Sequence, residues 1–581
     1  MNELELRGER RRGQFELVLF FLVALIFLSS GIGLRDPWPA DEPRFVLVAR
    51  DMVETGEWFF PRVGGELYQD KPPLFFWIMA AAITATGSVR LAFLLPSLFA
   101  ALGVLGLVYD LGRRWWSHRT GLIASATLLV TLQFVLEAKV AQIDMMLCFF
   151  ATFAVYGMAR HLRDGPSWPW YLAGCAAMGA GVITKGVGFL PLLLLIPYGW
   201  AVYAGWPKTT RSRSLLWIMG PVVMLMVISA WLVPMVVLVA NSGDVTLEAY
   251  RNEILLKQTA ERYAAPWGHI KPWWYFPVNV IPSLWLPLSI ALPWLIPQWW
   301  KSIREKDLRI FLLVGWAVLA VLFFSASAGK RGVYVLIALP AVALAASPWI
   351  EELWERRGVH RAAFFITVCA TAMLSLGALE TSFSLLPDVS KISSELGVSL
   401  TPFLLLFAFA GLIAIALFGV RRGAAGLIGF TSILWVAMTL WVAPSIDEAR
   451  SGRQFVHKLE RVTSAGGEIG IVRWKEQFLL QSHRPVTHFG HRRSDRNDEN
   501  HDAIAWLLGR PNRRLVVDAA ALGSCFERGQ FVDEAHGERW YVVSAADVLN
   551  RCMGKGDATL ARMYTPPFES HELPARQIAA P

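Results

Sequence analysis

The sequence predicts an all-α polytopic membrane protein with a C-terminal soluble α/β domain, and three observations predict it. Hydrophobic residues make up 55% of the 581-residue chain and charged residues only 17%, against about 25% charged in a typical soluble domain. So many apolar side chains exceed what a water-soluble core can hide. The apolar residues fall in runs long enough to cross a bilayer, about 13 of them before Pro444. Beyond that proline the runs stop, and short β-branched stretches set in polar sequence take over.

The first run, from about Phe15 to Leu34, follows Arg7, Arg10, Arg11 and Arg12. It is too long for a signal peptide, and Arg35-Asp36-Pro37-Trp38 does not resemble a cleavage site, so it reads as a retained first span. Further runs follow at 89–111, 120–136, 142–160, 168–184, 186–204, 215–240, 276–300, 308–327, 333–350, 361–380, 401–420 and 424–444. Charge checks the count. Arg113, Arg114 and Arg119 follow the second run, Arg160 and Arg163 the fourth, and Lys208, Arg211 and Arg213 the sixth. Lys301, Arg304, Lys306 and Arg309 follow the eighth, Arg356, Arg357 and Arg361 the tenth, and Arg421 and Arg422 the twelfth. Basic loops at every even-numbered end are what the positive-inside rule demands of a cytoplasmic N-terminus. The net charge of +9 belongs to these loops, not to a nucleic-acid-binding face. An odd number of spans then puts the C-terminus outside. The expected organisation is a transmembrane domain over 1–447 and an extracytoplasmic α/β domain over 448–581.

Two outer segments are long, 35–88 and 241–275. In the first, Pro43 to Val53 and Pro72 to Thr86 read as amphipathic juxtamembrane helices lying along the membrane surface. In the soluble part, Glu468 to Arg473, Arg514 to Asp518 and Arg539 to Val543 read as short buried strands. Ala503 to Leu508 and Ala545 to Leu549 read as helices, and the end from about Pro566 as loose.

Charges beside a membrane are costly, so their placement is informative. By this topology six clusters share the outer face: Asp41-Glu42-Pro43-Arg44; Tyr68-Gln69-Asp70-Lys71; Lys139 with Asp144; Lys185; Arg262 with His269 and Lys271; and Lys330-Arg331 with Tyr334. Any single loop charge is equally well explained by solvation. Several cations returning to one face on very short loops are harder to explain that way. Cations with carboxylates suit a phosphate-linked substrate, since lysine and arginine hold phosphate and a carboxylate can act as base or orient an acceptor. No phosphate-binding glycine loop, HExxH or CxxC motif competes. The remaining histidines are scattered without metal-ligand spacing.

Several of these motifs resemble a known family. Ala40-Asp41-Glu42-Pro43-Arg44-Phe45, Gly56-Glu57-Trp58 with Pro61, and Tyr68-Gln69-Asp70-Lys71-Pro72-Pro73-Leu74 with Trp77 resemble the first outer loop of polyprenyl-phosphate-sugar glycosyltransferases. The pattern is that of the lipid A 4-amino-4-deoxy-L-arabinose transferases, within the protein O-mannosyltransferase-like superfamily. Gln142-Ile143-Asp144, Thr184-Lys185-Gly186, and Lys330-Arg331 with Tyr334 and Pro340 continue the resemblance to the tenth run. Phe45 departs from the family's frequent Tyr, and Asp70 from its usual Glu.

The resemblance implies a GT-C fold in the bacterial inner membrane, with the active site and C-terminal domain periplasmic. It implies an undecaprenyl-phosphate-linked sugar donor, lipid A or another envelope acceptor, membrane lipid around the bundle and no nucleic-acid partner. Asp41 and Asp144 would be catalytic. Lys71, Arg262, Lys330, Arg331 and Tyr334 would hold the donor phosphate, and Glu42, Arg44, Tyr68, Asp70, Lys185 and His269 would line the cavity. No cofactor is required, although paired carboxylates are compatible with a divalent metal. Protein O-mannosyl transfer is an alternative activity. A transporter or flippase for a lipid-linked sugar is an alternative of another class, against which stand the one-sided charges and the unlike halves of the chain. Cys525 and Cys552 are the two cysteines of the soluble domain. Outside the cytoplasm they are expected to be bonded, two unpaired thiols being the alternative.

Overall fold

The computed structural model describes residues 3–207, 214–255, 269–383, 393, 395–463, 466–491 and 496–566. Arg262, the basic residues Lys208, Arg211 and Arg213, and the tail beyond residue 566 lie outside the described residues.

Each of the 13 apolar runs forms helix, because an isolated segment in lipid must satisfy its backbone internally. The expected count of 13 spans is not reached on length and composition. Among the described residues nine helices are long and apolar enough to cross a membrane, or eleven if two sharply bent pairs each count as one span. His118–Leu129 and Leu132–Ala138 meet at 71°, and Phe276–Leu284 and Leu288–Arg304 at 118°. The other two runs are the helix Trp168–Lys185 and the short apolar segment Leu190–Tyr203. The first helix, α1 (Glu3–Ser29), has Phe15, Val18, Leu22 and Ile26 exposed, the surface a lipid-facing helix needs.

The alternation of loops has a structural counterpart. Several of the basic even-numbered ends gather at one end of the bundle. There Arg309 donates to the carbonyl of Trp115 at 2.7 Å, Trp115 Nε1 donates to Asp164 at 3.2 Å, and Arg163 lies 5.3 Å from the Trp115 ring.

At the opposite end the first long loop forms α2 (Glu42–Thr55), a tight hairpin of β1 (Arg62–Val63) and β2 (Glu66–Leu67), and α3 (Leu74–Thr86). Both helices fall where the sequence placed them, but α2 does not lie on the membrane surface. Every residue from Glu42 to Met52 is buried. Phe45, Val46 and Leu47 share one core with Phe75, Phe76 and Met79 of α3 and with Phe455, Trp474, Phe478 and Trp540 of the soluble domain. The amphipathic pattern of α2 therefore reflects contacts with protein on all sides, not a lipid face.

The soluble part is a six-stranded mixed sheet in the order β6-β7-β5-β3-β4-β8. Its strands are β3 (Glu468–Ile471), β4 (Val486–His488), β5 (Arg513–Asp518), β6 (Gln530–Ala535), β7 (Glu538–Val543) and β8 (Arg562–Tyr564). β3 pairs in parallel with β4 and β5, and the outer pairings are antiparallel. Alternation along β5 sends Val516 into the core shared with α2 and Leu515 and Val517 into a second core with Trp506 and Phe526, as the two-residue period of a strand requires. The expected strands β3, β5 and β7 are present. The expected helix at Ala545 to Leu549 is only a single tight turn, Ala545–Asp547.

Cys525 and Cys552 form a disulfide with Cα atoms 5.6 Å apart. It closes a stretch with a sequence separation of 27 residues, and on the chain-entropy model stabilises the domain by roughly 3–4 kcal/mol. Thiol labelling of the denatured protein should therefore reach both cysteines only after reduction, and a Cys525→Ser variant should melt at lower temperature.

Burial beside the β1–β2 hairpin marks Asp51, whose carboxyl is pushed up to about 7, with neighbouring Arg50 opposing the shift. A carboxyl raised in the folded state binds its proton more tightly there than in the unfolded chain. Stability contributed this way is present at acid pH and is lost as pH rises from about 4 toward 7. The melting temperature of wild type should fall across that window relative to Asp51→Asn. Parallel pH profiles in a thermal-shift series would refute the assignment.

Candidate active site

The chain leaves α1 at Ser29 and turns back through Arg35 to Glu42 to start α2. Two buried devices fix this turn. Lys139, from the end of a bundle helix, donates to the carbonyls of Phe27 at 2.7 Å and Ser30 at 3.2 Å and to the Ser30 hydroxyl at 2.8 Å. A helix end leaves carbonyls unpaired, and a cation there satisfies them. Arg35 grips Glu42 through both nitrogens, at 2.5 and 2.7 Å, while the amides of Trp38 and Ala141 also donate to the Glu42 carboxylate. Lys139 is thus engaged in closing α1, and Glu42, expected as a cavity residue, in closing the loop.

Asp41, one residue before α2, faces the bundle. Its Oδ2 accepts from Arg331 Nη2 at 3.1 Å and its Oδ1 from Arg44 Nη1 at 3.3 Å. Arg331 sits in the loop between the helix Leu308–Ala326 and the turn Gly332–Ala338. Burial alone would lower its pKa, but Asp41 more than offsets this, so the guanidinium holds its proton more firmly than usual.

A second pair lies alongside. Lys185, the last residue of the helix Trp168–Lys185, donates to Asp144 at the start of the preceding helix, Ile143–Arg163. The Lys185 ammonium lies 4.6 Å from the Tyr334 ring centroid. Arg331 feels the charges of Asp41 and Asp144, so the two pairs form one electrostatic unit. Glu137 joins them. It is 6% exposed, its Oε2 has no hydrogen-bond partner among the described residues, and it interacts electrostatically with Asp144, Lys185, Arg331 and Asp41. Sequence reading passed over Glu137, although a carboxylate closing an apolar run two residues before Lys139 was a signal that could have found it.

The structure thus brings Asp41, Arg44, Asp144, Lys185, Arg331 and Tyr334 together. Tyr68 is buried, packs on Phe76 at 5.7 Å and interacts electrostatically with Arg44. Asp70 and Lys71 are half-buried in the turn that leads into α3. Lys330 is 3% exposed, and its ammonium binds the carbonyls of Lys271, at 3.0 Å, and Ser327. Its backbone N–H donates to the carbonyl of His269, an exposed residue with φ of 56°. Lys330 and His269 therefore tie the two loops to each other.

The soluble domain also reaches the site, which the sequence did not foretell. Arg44 Nε donates to Glu476 at 2.6 Å, and Glu476 lies 3.2 Å from His491 Nε2. A single grouping of potential ligands has metal-like spacing among the described residues, His501 with Cys525 and Cys552. Both sulfurs are in the disulfide, so no thiolate is left to bind an ion.

The fold and site define a multi-pass membrane protein of the GT-C class, with ion-paired carboxylates at one end of the bundle beneath a soluble domain. A family model described as dolichyl-phosphate-mannose-protein mannosyltransferase matches residues 70–233. The undecaprenyl phosphate-alpha-4-amino-4-deoxy-L-arabinose arabinosyl transferase 1 of Pseudomonas fluorescens is 28% identical over 57% of this chain and 59% of its own length. The corresponding enzyme of Serratia proteamaculans is 25% identical over 71% of this chain and 73% of its own. The chain spans just under three fifths of the length of the Pseudomonas fluorescens relative and of a similar enzyme from Sodalis glossinidius. The crystal structure of ArnT from Cupriavidus metallidurans bound to undecaprenyl phosphate superposes with a TM-score of 0.69 at 20% identity, covering 93% of this chain and 99% of that one. The resemblance to the polyprenyl-phosphate-sugar glycosyltransferase superfamily, read first from the motifs, is borne out in sequence and fold.

Proposed function

We propose that the protein is an integral-membrane glycosyltransferase that moves a sugar from undecaprenyl phosphate to lipid A or another envelope acceptor, with aminoarabinose as the first sugar to test. The observation that carries this reading is the Arg331–Asp41 pair beside Lys185–Asp144 at one end of the bundle. The arabinosyl transferase activity for which the relatives are named, and the undecaprenyl phosphate bound to the similarly folded ArnT, support it.

Transfer with inversion needs an acceptor oxygen in line with the anomeric carbon and stabilisation of the departing lipid phosphate. Cations fixed in advance supply the second. Arg331 is the more exposed member of its pair, its side chain 40% exposed against 17% for Asp41. An arriving phosphate would meet the guanidinium first and compete with Asp41 for it. Asp41, released from Arg331, would then accept the proton of an acceptor hydroxyl, or orient the acceptor if that is itself a phosphate. Lys71 is assigned to the donor phosphate, with its backbone stiffened by Pro72 and Pro73. Asp41 and Asp144 each already have a side-chain cation, so the chemistry calls for no cofactor, and a divalent ion between them would have to displace Arg331 or Lys185. The orientation we propose is an N-terminus in the cytoplasm of the bacterial inner membrane and the site and soluble domain in the periplasm. The basic loops and the disulfide support it.

Asp41→Asn should leave the protein folded and inserted while removing transfer. Full turnover by that purified variant would refute the role. Lys71→Ala should raise the donor KM by about tenfold, and an unchanged KM and rate would remove Lys71 from the phosphate site. Mass spectrometry of lipid A and of glycoproteins, from cells with and without the gene, separates lipid A transfer from protein O-mannosyl transfer.

A further inference from the structure

Glu476 belongs to the soluble domain, in the short helix Glu476–Gln481 between β3 and β4, yet its carboxylate lies one side chain away from Asp41. Glu476 Oε1 accepts from Arg44 Nε at 2.6 Å, and the other end of the same guanidinium reaches Asp41 Oδ1 at 3.3 Å and the carbonyl of Ala40 at 3.4 Å. The side chains of Arg44, Glu476 and Asp41 are 10%, 13% and 17% exposed, so this is not a solvated surface pair. The same oxygen, Glu476 Oε1, is also braced by His491 Nε2 at 3.2 Å. The His491 ring packs against Trp474 with centroids 5.0 Å apart, and its backbone N–H donates to Glu66 of the hairpin at 3.0 Å. Burial would raise the Glu476 carboxyl, but His491 and Arg44 more than offset it and bring it down to about 2, which keeps it charged at every working pH.

A guanidinium is a rigid planar fork. When one edge is fixed by Glu476, the position of the other edge is fixed as well, and that edge holds Asp41. Without Glu476, the hydrogen bonds left to the Arg44 guanidinium among the described residues are those to Asp41 and the Ala40 carbonyl, and its plane is free to rotate about the side chain. We infer that Glu476 is a positioning residue supplied by the soluble domain, which sets the Asp41 carboxylate through Arg44 and so makes that domain part of the catalytic unit. The inference rests on the transfer reading given above.

The experiment compares purified full-length wild type, Glu476→Gln, Arg44→Gln and the double variant, with undecaprenyl phosphate-aminoarabinose as donor and lipid A as acceptor. Glu476→Gln keeps the shape of the side chain and removes its charge. It should lower kcat by about 10- to 100-fold, the size of effect expected for a misplaced reacting group, with donor KM unchanged within about twofold. Acting only through Arg44, it should add nothing in the double variant, whose kcat should equal that of Arg44→Gln alone. A merely structural role would lower melting temperature and yield and leave the kcat of the folded fraction intact. If Glu476→Gln does not fold, Glu476→Asp keeps the charge but draws it back by one methylene, and should show a smaller kcat loss. Wild-type kcat in either folded variant, or multiplied losses in the double variant, overturns the inference. A wild type that transfers nothing from this or any undecaprenyl-phosphate-linked sugar overturns the proposed function, and the inference with it. A wild type and a Glu476→Gln variant that transfer equally well overturn the inference alone.

Discussion

The buried bridge between Arg35 and Glu42 is the constraint on which the rest of the site depends. The chain leaves a lipid-facing helix and within a few residues must place a carboxylate at the end of the bundle. The side chains of Arg35 and Glu42 are 9% and 7% exposed, and either charge buried alone would cost several kcal/mol. Together they satisfy each other in a two-pronged bridge, and backbone groups of Asp36, Trp38, Lys139 and Ala141 complete their hydrogen bonds. Because Glu42 is the first residue of α2, fixing it fixes Asp41 before it. A second knot holds the same turn from the other side. Asp36 pairs with Arg90 and Arg453, and Asp447 binds Arg90, the Asp36 amide and the Trp38 indole. That knot ties the loop to the helix by which the chain enters the soluble domain.

The outer-face cations divide by what they touch. Lys139 and Lys330 point into backbone carbonyls and hold the ends of helices and loops in place. Arg331 and Lys185 point at carboxylates. Both uses answer the same problem, a charge close to lipid that must be compensated, but only the second leaves a cation beside an acid where an incoming anion can exchange for it. Spacing along the chain cannot separate the two uses, since each follows from where a side chain points at the end of a helix.

That limit accounts for what was legible in the sequence. The helices, the two juxtamembrane segments and strands β3, β5 and β7 were legible because long apolar runs and β-branched stretches have strong periodic signals. Strands β4 and β8, of three residues each, are too short to show a period. The bends at 71° and 118° fall inside runs apolar enough on average to read as single segments, although Thr131 and Pro287 stand at the breaks. In the site, the clusters around Asp41, Asp144, Lys185 and Arg331 were legible because charge stands out against apolar sequence. Glu476 and His491 were not, because in the polar sequence of a soluble domain one more Glu or His carries no contrast. The burial of α2 was misread for a related reason. An amphipathic pattern records that one face is apolar and does not record whether protein or lipid covers it.

The covering of α2 also explains why its charged residues are retained. A helix on a membrane surface would turn Arg44, Arg50 and Asp51 to water, where each costs little. Here the soluble domain closes over them. Arg50 becomes 1% exposed and its guanidinium is left with Glu54 at 3.5 Å and the Tyr564 ring 5.5 Å away. Such burial is unfavourable for docking taken alone, and it is offset by the apolar core that Phe45, Phe75 and Phe76 share with Phe455, Phe478 and Trp540. The interface between bundle and soluble domain is therefore held by apolar packing and oriented by charge. Packing supplies the attraction, but an apolar surface tolerates small shifts, whereas the Arg44–Glu476 and Asp36–Arg453 pairs accept one register. On the transfer reading proposed above, a carboxylate that has to orient an acceptor oxygen would need the second property more than the first, and the charges nearest Asp41 are anchored in both domains.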